Sequence, residues 1–145
     1  MTKKTFTIIV NEIQDEKALT DISVIKQNMF KYNAQHIRGY KKISIFIKDK
    51  SNNSTKGGLS AYFQSGVMFI ETVIVDKKER LRGWGTKLLE KAEEIAIENK
   101  CNCIYLDTFT FQALGFYKKL GYKTFSKLDD YDDGIVLYWM KKVLK

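Results

Sequence analysis

The chain lacks proline altogether, has one histidine and two cysteines in 145 residues, and holds no apolar run near the roughly 20 residues of a membrane span. Average usage of about 5% would supply about seven prolines. Their absence excludes polyproline ligands, collagen-like repeats and proline-stiffened linkers. With His36 alone, a histidine-based triad has no support, and His36 reads as a surface or packing residue. Cys101 and Cys103 stand one residue apart inside an apolar run, the wrong spacing for a zinc knuckle. Soft ligands are too few for structural zinc, so both read as buried reduced thiols and no metal is expected. The apolar stretch near the N-terminus ends in charge too soon for a signal peptide. The expectation is a soluble, cytoplasmic protein with no membrane partner.

What is present is a basic, globular composition: 25 Lys+Arg against 17 Asp+Glu, a formal charge of +8, and 44% hydrophobic residues. The length fits one domain spanning residues 1–145. A chain of this size buries roughly 68–70% of its unfolded surface, enough for a core without staples. The first 72 residues carry net +5 and the last 73 net +3. Charge that is spread rather than striped speaks against a nucleic-acid partner.

Hydrophobic spacing predicts the elements. Thr5–Val10 alternates and is β-branched, as in a strand. Ala18, Ile22, Ile25, Met29 and Tyr32 form an apolar helical stripe, with Asp15 or its acidic neighbours at the first turn. Lys42–Lys48 and Gly57–Gln64 read as a hairpin around a polar turn, and Val67–Val75 as a central strand buried on both faces. An amphipathic helix follows from Trp84 to about Lys100, then a strand Cys101–Asp107 and a short helix Thr110–Leu120 stopped by Gly121. Strands Tyr122–Leu128 and Ile135–Val143 flank the acidic turn Asp129–Asp133, a run that reads as solvated or as attracting a cationic amine. The order β α β β β α β α β β predicts an α/β (α+β) three-layer sandwich around a mixed sheet of about seven strands with about four helices.

The segment Arg80-Leu-Arg-Gly-Trp-Gly-Thr, between a buried strand and a long helix, is the most informative. Two glycines permit a tight turn with inward N–H groups, and a helix N-terminus adds partial positive charge, which together suit a phosphate or pyrophosphate. Lys77 to Lys87 carries five cations and one acid. Gly83 and Gly85 lack the third glycine of a dinucleotide fingerprint, and no Gly-Lys-Ser/Thr follows as in a nucleotide triphosphatase loop.

Arg80-x-x-Gly83-x-Gly85 closely resembles the Arg/Gln-x-x-Gly-x-Gly/Ala signature of the GNAT superfamily of acetyl-CoA-dependent N-acetyltransferases. Ile70-Glu-Thr-Val-Ile-Val-Asp resembles that family's fourth strand, and the segment from Asp107 to Tyr122, with Phe116-Tyr117-x-x-x-Gly121-Tyr122, resembles its fifth strand and fourth helix. The similarity covers nearly the whole chain, with its strong motifs between Glu71 and Tyr122. Many relatives carry proline after the strand-four Asp and in the segment that is Ala113-Leu114 here; this chain departs from them at both places.

The resemblance implies an N-acetyltransferase that moves an acetyl group from acetyl-CoA to a primary amine of a small molecule or peptide by direct attack in a ternary complex. A non-catalytic acyl-CoA-binding module on the same fold is the rival. The cofactor's pyrophosphate is expected on Arg80, Leu81, Arg82, Gly83, Trp84, Gly85 and Thr86, and its pantetheine arm along Val73, Ile74 and Val75. Gln112 and Phe116 are further cofactor-binding candidates. Tyr117 is expected to protonate the leaving thiolate. Glu71, which interrupts an apolar strand and so reads as buried with a raised pKa, is the candidate base, or else a paired or solvent-facing carboxylate. Asp107 is expected to orient the substrate, and Tyr32, with Asn33 and Arg38, to line the acceptor pocket. Homodimerisation is common in such folds, and no feature of the sequence fixes it.

Overall fold

A computed structural model describes residues 6–10, 13 and 15–145, which form two compact units, 1–37 and 38–145. The first holds helix α1 (Glu16–Asn33). The Asp15 carboxylate accepts from the Ala18 N–H at 2.6 Å, so the anticipated acidic N-cap satisfies one of the four N–H groups a helix start leaves open.

The second unit runs β1 (Lys41–Lys48), β2 (Thr55–Gln64), β3 (Val67–Val75), α2 (Trp84–Glu98), β4 (Cys103–Phe109), α3 (Leu114–Lys119), β5 (Lys123–Leu128) and β6 (Leu137–Val143). Single 3₁₀ turns lie at Lys77–Glu79 and Asp132–Gly134. The strands form one mixed sheet in the order β1-β2-β3-β4-β6-β5. Among the described residues only β3 and β4 pair in parallel, and a parallel pair needs a crossover, which α2 provides. No helix among the described residues is long and apolar enough to cross a membrane.

Two expectations are corrected. Of the expected first strand, Thr5–Val10, Thr5 lies outside the described residues and Phe6–Val10 has no regular secondary structure. Alternation makes a segment fit for a pleated surface, but a strand exists only where a neighbour accepts its ladder. The sheet therefore has six strands and the described residues hold three α-helices, against about seven and four. Second, β3 is buried only in its first half. Met68 and Ile70 are buried, whereas Glu71, Thr72 and Ile74 are exposed, because the partner strand leaves after Ile70.

Pleating sorts the sheet residues by parity. Leu59, Ala61 and Phe63 of β2, Met68 and Ile70 of β3, Ile104 and Leu106 of β4 and Met140 of β6 cluster with Leu88, Leu89, Ala92 and Ala96 of α2. Tyr117 of α3 and Tyr122 join the same cluster, so both helices share one face of the sheet. On the opposite face a row of rings crosses the strands, Tyr62 to Phe69 at 5.4 Å and Phe69 to Tyr105 at 4.7 Å. Cys101 is buried and Cys103 half-buried, both as free thiols. Gly58 sits where backbones converge: a Cβ there would fall 2.7 Å from the Ile45 carbonyl oxygen and 3.1 Å from the Phe46 ring.

Gly58→Ala is expected to destabilise the fold by about 1–3 kcal/mol, since backbone rather than a pliable side chain must yield; chemical denaturation measures it. Alkali supplies a second prediction. Burial, and a hydrogen bond that the Tyr105 hydroxyl donates to Tyr62, push the Tyr105 phenol up to about 12, and burial pushes Tyr122, 1% exposed, up as well. The unfolded chain loses these protons near its ordinary value of 10, before the folded chain does. It then binds fewer protons than the native state, and stability falls as pH rises. Unfolding midpoints are expected to be level up to about pH 9 and to drop between about 10 and 12.

Candidate active site

The β3–β4 ladder runs from Val67 opposite Cys103 to Ile70 opposite Leu106 and stops there, although β3 continues to Val75 and β4 to Phe109. On its other edge β3 stays paired with β2, but the register slips: Ser60 faces Thr72 and Ala61 faces Ile70. Glu71 is the extra residue, a β-bulge. Across it the core-facing residues change from Met68 and Ile70 to Val73 and Val75. Beyond the parting, the β4-facing edge of Val73–Val75 has no ladder partner.

A cleft of about 1060 Å³ opens between the separated strand ends, at the carboxyl ends of parallel strands where open α/β sheets place their ligands. Its floor is the start of α2. Gly83 caps that helix at φ +79° without a side-chain hydrogen bond, and the first intrahelical bond runs from Lys87 N–H to the Gly83 carbonyl at 3.1 Å. The N–H groups of Trp84, Gly85 and Thr86 thus lack helix partners, and with the helix dipole they form an anion site. The two glycines differ in purpose. Gly83 is required by its backbone angle, whereas a Cβ at Gly85 would come within 3.1 Å of the Phe116 ring, so Gly85 lets α2 and α3 close against each other.

The approach to this floor is strained and tied down. Leu81 lies in the left-handed region at φ +60° with its side chain fully exposed. That backbone costs a non-glycine residue roughly 1–2 kcal/mol, and such strain clusters at ligand sites. Arg80 Nε donates to the Val75 carbonyl at 2.9 Å, joining the loop to the end of β3. Arg82 is not on the cleft wall itself but pairs at 2.8 Å with Glu79, which is. Lys87 rests 4.6 Å from the Trp84 ring centroid.

The opposite wall comes from β4 and α3. Gln112 folds back so that its side-chain oxygen accepts from the Phe109 N–H at 2.8 Å, and the Ala113 N–H donates to the buried Thr108 hydroxyl at 3.4 Å. These bonds close the turn that launches α3 and carry Tyr117 into the cleft. Tyr117 is 8% exposed, edge-on to Phe116 at 5.2 Å and to Tyr122 at 5.9 Å. Burial, and then the Asp107 carboxylate, raise its pKa, so the phenol keeps its proton at neutral pH.

Fourteen of the sequence candidates meet in this one cleft: Glu71, Val73, Ile74, Val75, Arg80, Leu81, Gly83, Trp84, Gly85, Thr86, Asp107, Gln112, Phe116 and Tyr117. Arg82 does not join them, and Tyr32 belongs to the first unit, with its ring 5.6 Å from His36. Of the two readings of Glu71 the structure carries the solvent-facing one, not the buried one: it is exposed at the bulge, which lifts it out of the strand's core-facing parity. Sequence reasoning missed Phe109 and Phe111 on the cleft wall. Their spacing of two beside Asp107 was the available signal.

Residues 12–122 match the acetyltransferase (GNAT) family. The chain is 28% identical over 133 residues to acetyltransferase Atu2258 of Agrobacterium fabrum, covering 92% of this chain and 93% of that protein. It is 34% identical over 90 residues to blasticidin-S acetyltransferase of Streptomyces morookaense, covering 61% and 65%. A crystal structure of a candidate acetyltransferase from Agrobacterium tumefaciens superposes with a TM-score of 0.84 at 25% identity, over 95% of this chain and 99% of that one.

Asp107→Asn is expected to lower the Tyr117 pKa, because removing a nearby negative charge makes the phenolate less costly. Titration of ring-labelled tyrosine by NMR reads the shift.

Proposed function

The chain belongs to the acetyltransferase (GNAT) family and is an acyltransferase; on that premise we propose that, with acetyl-CoA as its cosubstrate, it acetylates a primary amine of a small molecule by direct attack, using Tyr117 as acid and Glu71 as base. The observation that carries this reading is the parting of β3 from β4 directly over the uncapped start of α2, with Tyr117 in the same cleft.

The residues present suit the cosubstrate. The N–H groups of Trp84, Gly85 and Thr86, with Arg80 beside them, would hold its pyrophosphate, and the edge of Val73–Val75 that has no ladder partner among the described residues, its Val75 carbonyl accepting from Arg80 Nε, would take an extended polar arm as an added strand. Phe116 and Gln112 would bound that arm on the far wall. Arg82 would contribute long-range charge, since its side chain faces solvent and pairs with Glu79.

Acetyl-CoA supplies the acyl group as a thioester; a C–N bond forms as the C–S bond breaks. Glu71 takes the proton the amine loses, directly or through water, and Tyr117 gives its proton to the departing sulfur. The raised Tyr117 pKa keeps that proton in place until the thiolate needs it. Asp107, whose charge Tyr117 feels, holds the incoming amine at the same end of the cleft. The blasticidin-S relative is named for a small molecule, which supports a small-molecule acceptor. In this reading the setting is the cytoplasm.

Tyr117→Phe is expected to lower kcat by about 100-fold while leaving the KM for acetyl-CoA nearly unchanged. Steady-state thiol release with a primary-amine acceptor measures both. Full turnover by this variant across the pH range would remove Tyr117 from the mechanism.

A further inference from the structure

The acceptor end of the cleft carries a wall that the transfer step itself does not use. Phe109 and Phe111 stack at 5.3 Å between centroids and 8° between planes, and both line the cleft. Tyr131 backs Phe109 edge-on at 5.4 Å. Phe111 is nevertheless 67% exposed, so most of its surface is open to a ligand rather than spent on the core. Glu71 and Asp107 line the same cleft, and neither is in a salt bridge among the described residues. Tyr131 anchors the neighbouring acidic turn, in which Asp129 is paired with Lys127 at 2.6 Å. Arg80 and Glu79 also line the cleft, and Glu79 is paired with Arg82 at 2.8 Å, which leaves Glu71 and Asp107 as the cleft's carboxylates without an ion pair among the described residues.

Resting on the acetyl-transfer reading, we propose that this end selects acceptors bearing a second, non-reacting cationic group, and that the face of Phe111 holds that group. A reacting ammonium must shed its charge before its nitrogen can attack. Attraction for that charge is lost in the transition state and adds nothing to the rate of the chemical step. Carboxylates and ring faces raise kcat/KM only by holding a positive charge that persists through the reaction. Ring faces are negative and attract cations within about 6 Å of the centroid. An acceptor with a carboxylate tail is repelled by Glu71 and Asp107. Acetylation then removes one of the two charges, so the product binds less well than the substrate and leaves.

The test compares three acceptors of matched length with the full chain and acetyl-CoA: hexamethylenediamine, hexylamine and aminocaproate. The expected order of kcat/KM is diamine, then monoamine, then the amino acid, with the diamine ahead by about tenfold and its advantage shrinking as salt is added. Phe111→Leu, which keeps apolar bulk and loses the ring, and Phe111→Ala are both expected to lower kcat/KM for the diamine by about 3- to 30-fold more than for hexylamine. Phe111→Trp restores the difference. Phe111 is exposed, so these variants fold, and circular dichroism checks it. Equal use of the three acceptors, or equal losses for diamine and monoamine in Phe111→Ala, overturns the proposal while leaving acetyl transfer standing. No thiol release with any amine, although calorimetry shows acetyl-CoA bound, overturns the transfer reading and this one with it.

Discussion

Two parallel strands that pair for four residues and then separate leave backbone donors and acceptors facing a gap, and a gap lined by unmet polar groups has to be met by something. In this protein the parting of β3 and β4 sets the position of everything else at the site. The crossover helix α2 must begin where β3 ends, so its uncapped first turn lies at the mouth of the gap. The turn after β4 must close quickly, and Gln112 closes it by capping Phe109 at 2.8 Å, which brings α3 and Tyr117 to the far side. The Glu71 bulge belongs to the same constraint: it keeps β3 paired to β2 while re-aiming its outer half.

The remainder of the second unit makes this opening tolerable. Leu88, Leu89, Ala92 and Ala96 lock α2 onto β2, β3 and β4, so the loop ahead of the helix can hold Leu81 in a strained conformation. Gly85 allows α2 to lie against Phe116, and the same contact places an apolar wall beside polar N–H groups. Tyr117 sits at the seam between core and cleft. The burial that stabilises its ring also holds its proton, so packing and acid chemistry have one cause.

Much of the fold was legible because periodicity records which face is buried. β3 was read with its observed bounds, α2 and the β1–β2 hairpin to within a few residues, and Gly121, at φ +90°, ends α3 as its position suggested. The short helix was read too early: Thr110–Ala113 forms a turn held by the Thr108 and Gln112 side chains, and side-chain bonds of this kind leave no periodic trace. Glu71 stands out in the sequence for breaking an apolar run, but the choice between a buried and a solvent-facing carboxylate stays open there, because a bulge is a property of two strands in register, not of one. Phe111 was passed over since an aromatic residue on its own reads as core.

The sequence by itself determined the alternation of elements, the glycine-rich turn with its excess of positive charge and the family signature, because these depend on neighbours within a few residues. Only the tertiary structure decided where β3 and β4 part, that Arg82 pairs with Glu79, and that Glu71, Asp107 and the Phe109–Phe111 stack line one cavity. Ladder length, ion-pair choice and cavity wall are each fixed by segments far apart in the chain, and distances between such segments exist only once the core has closed.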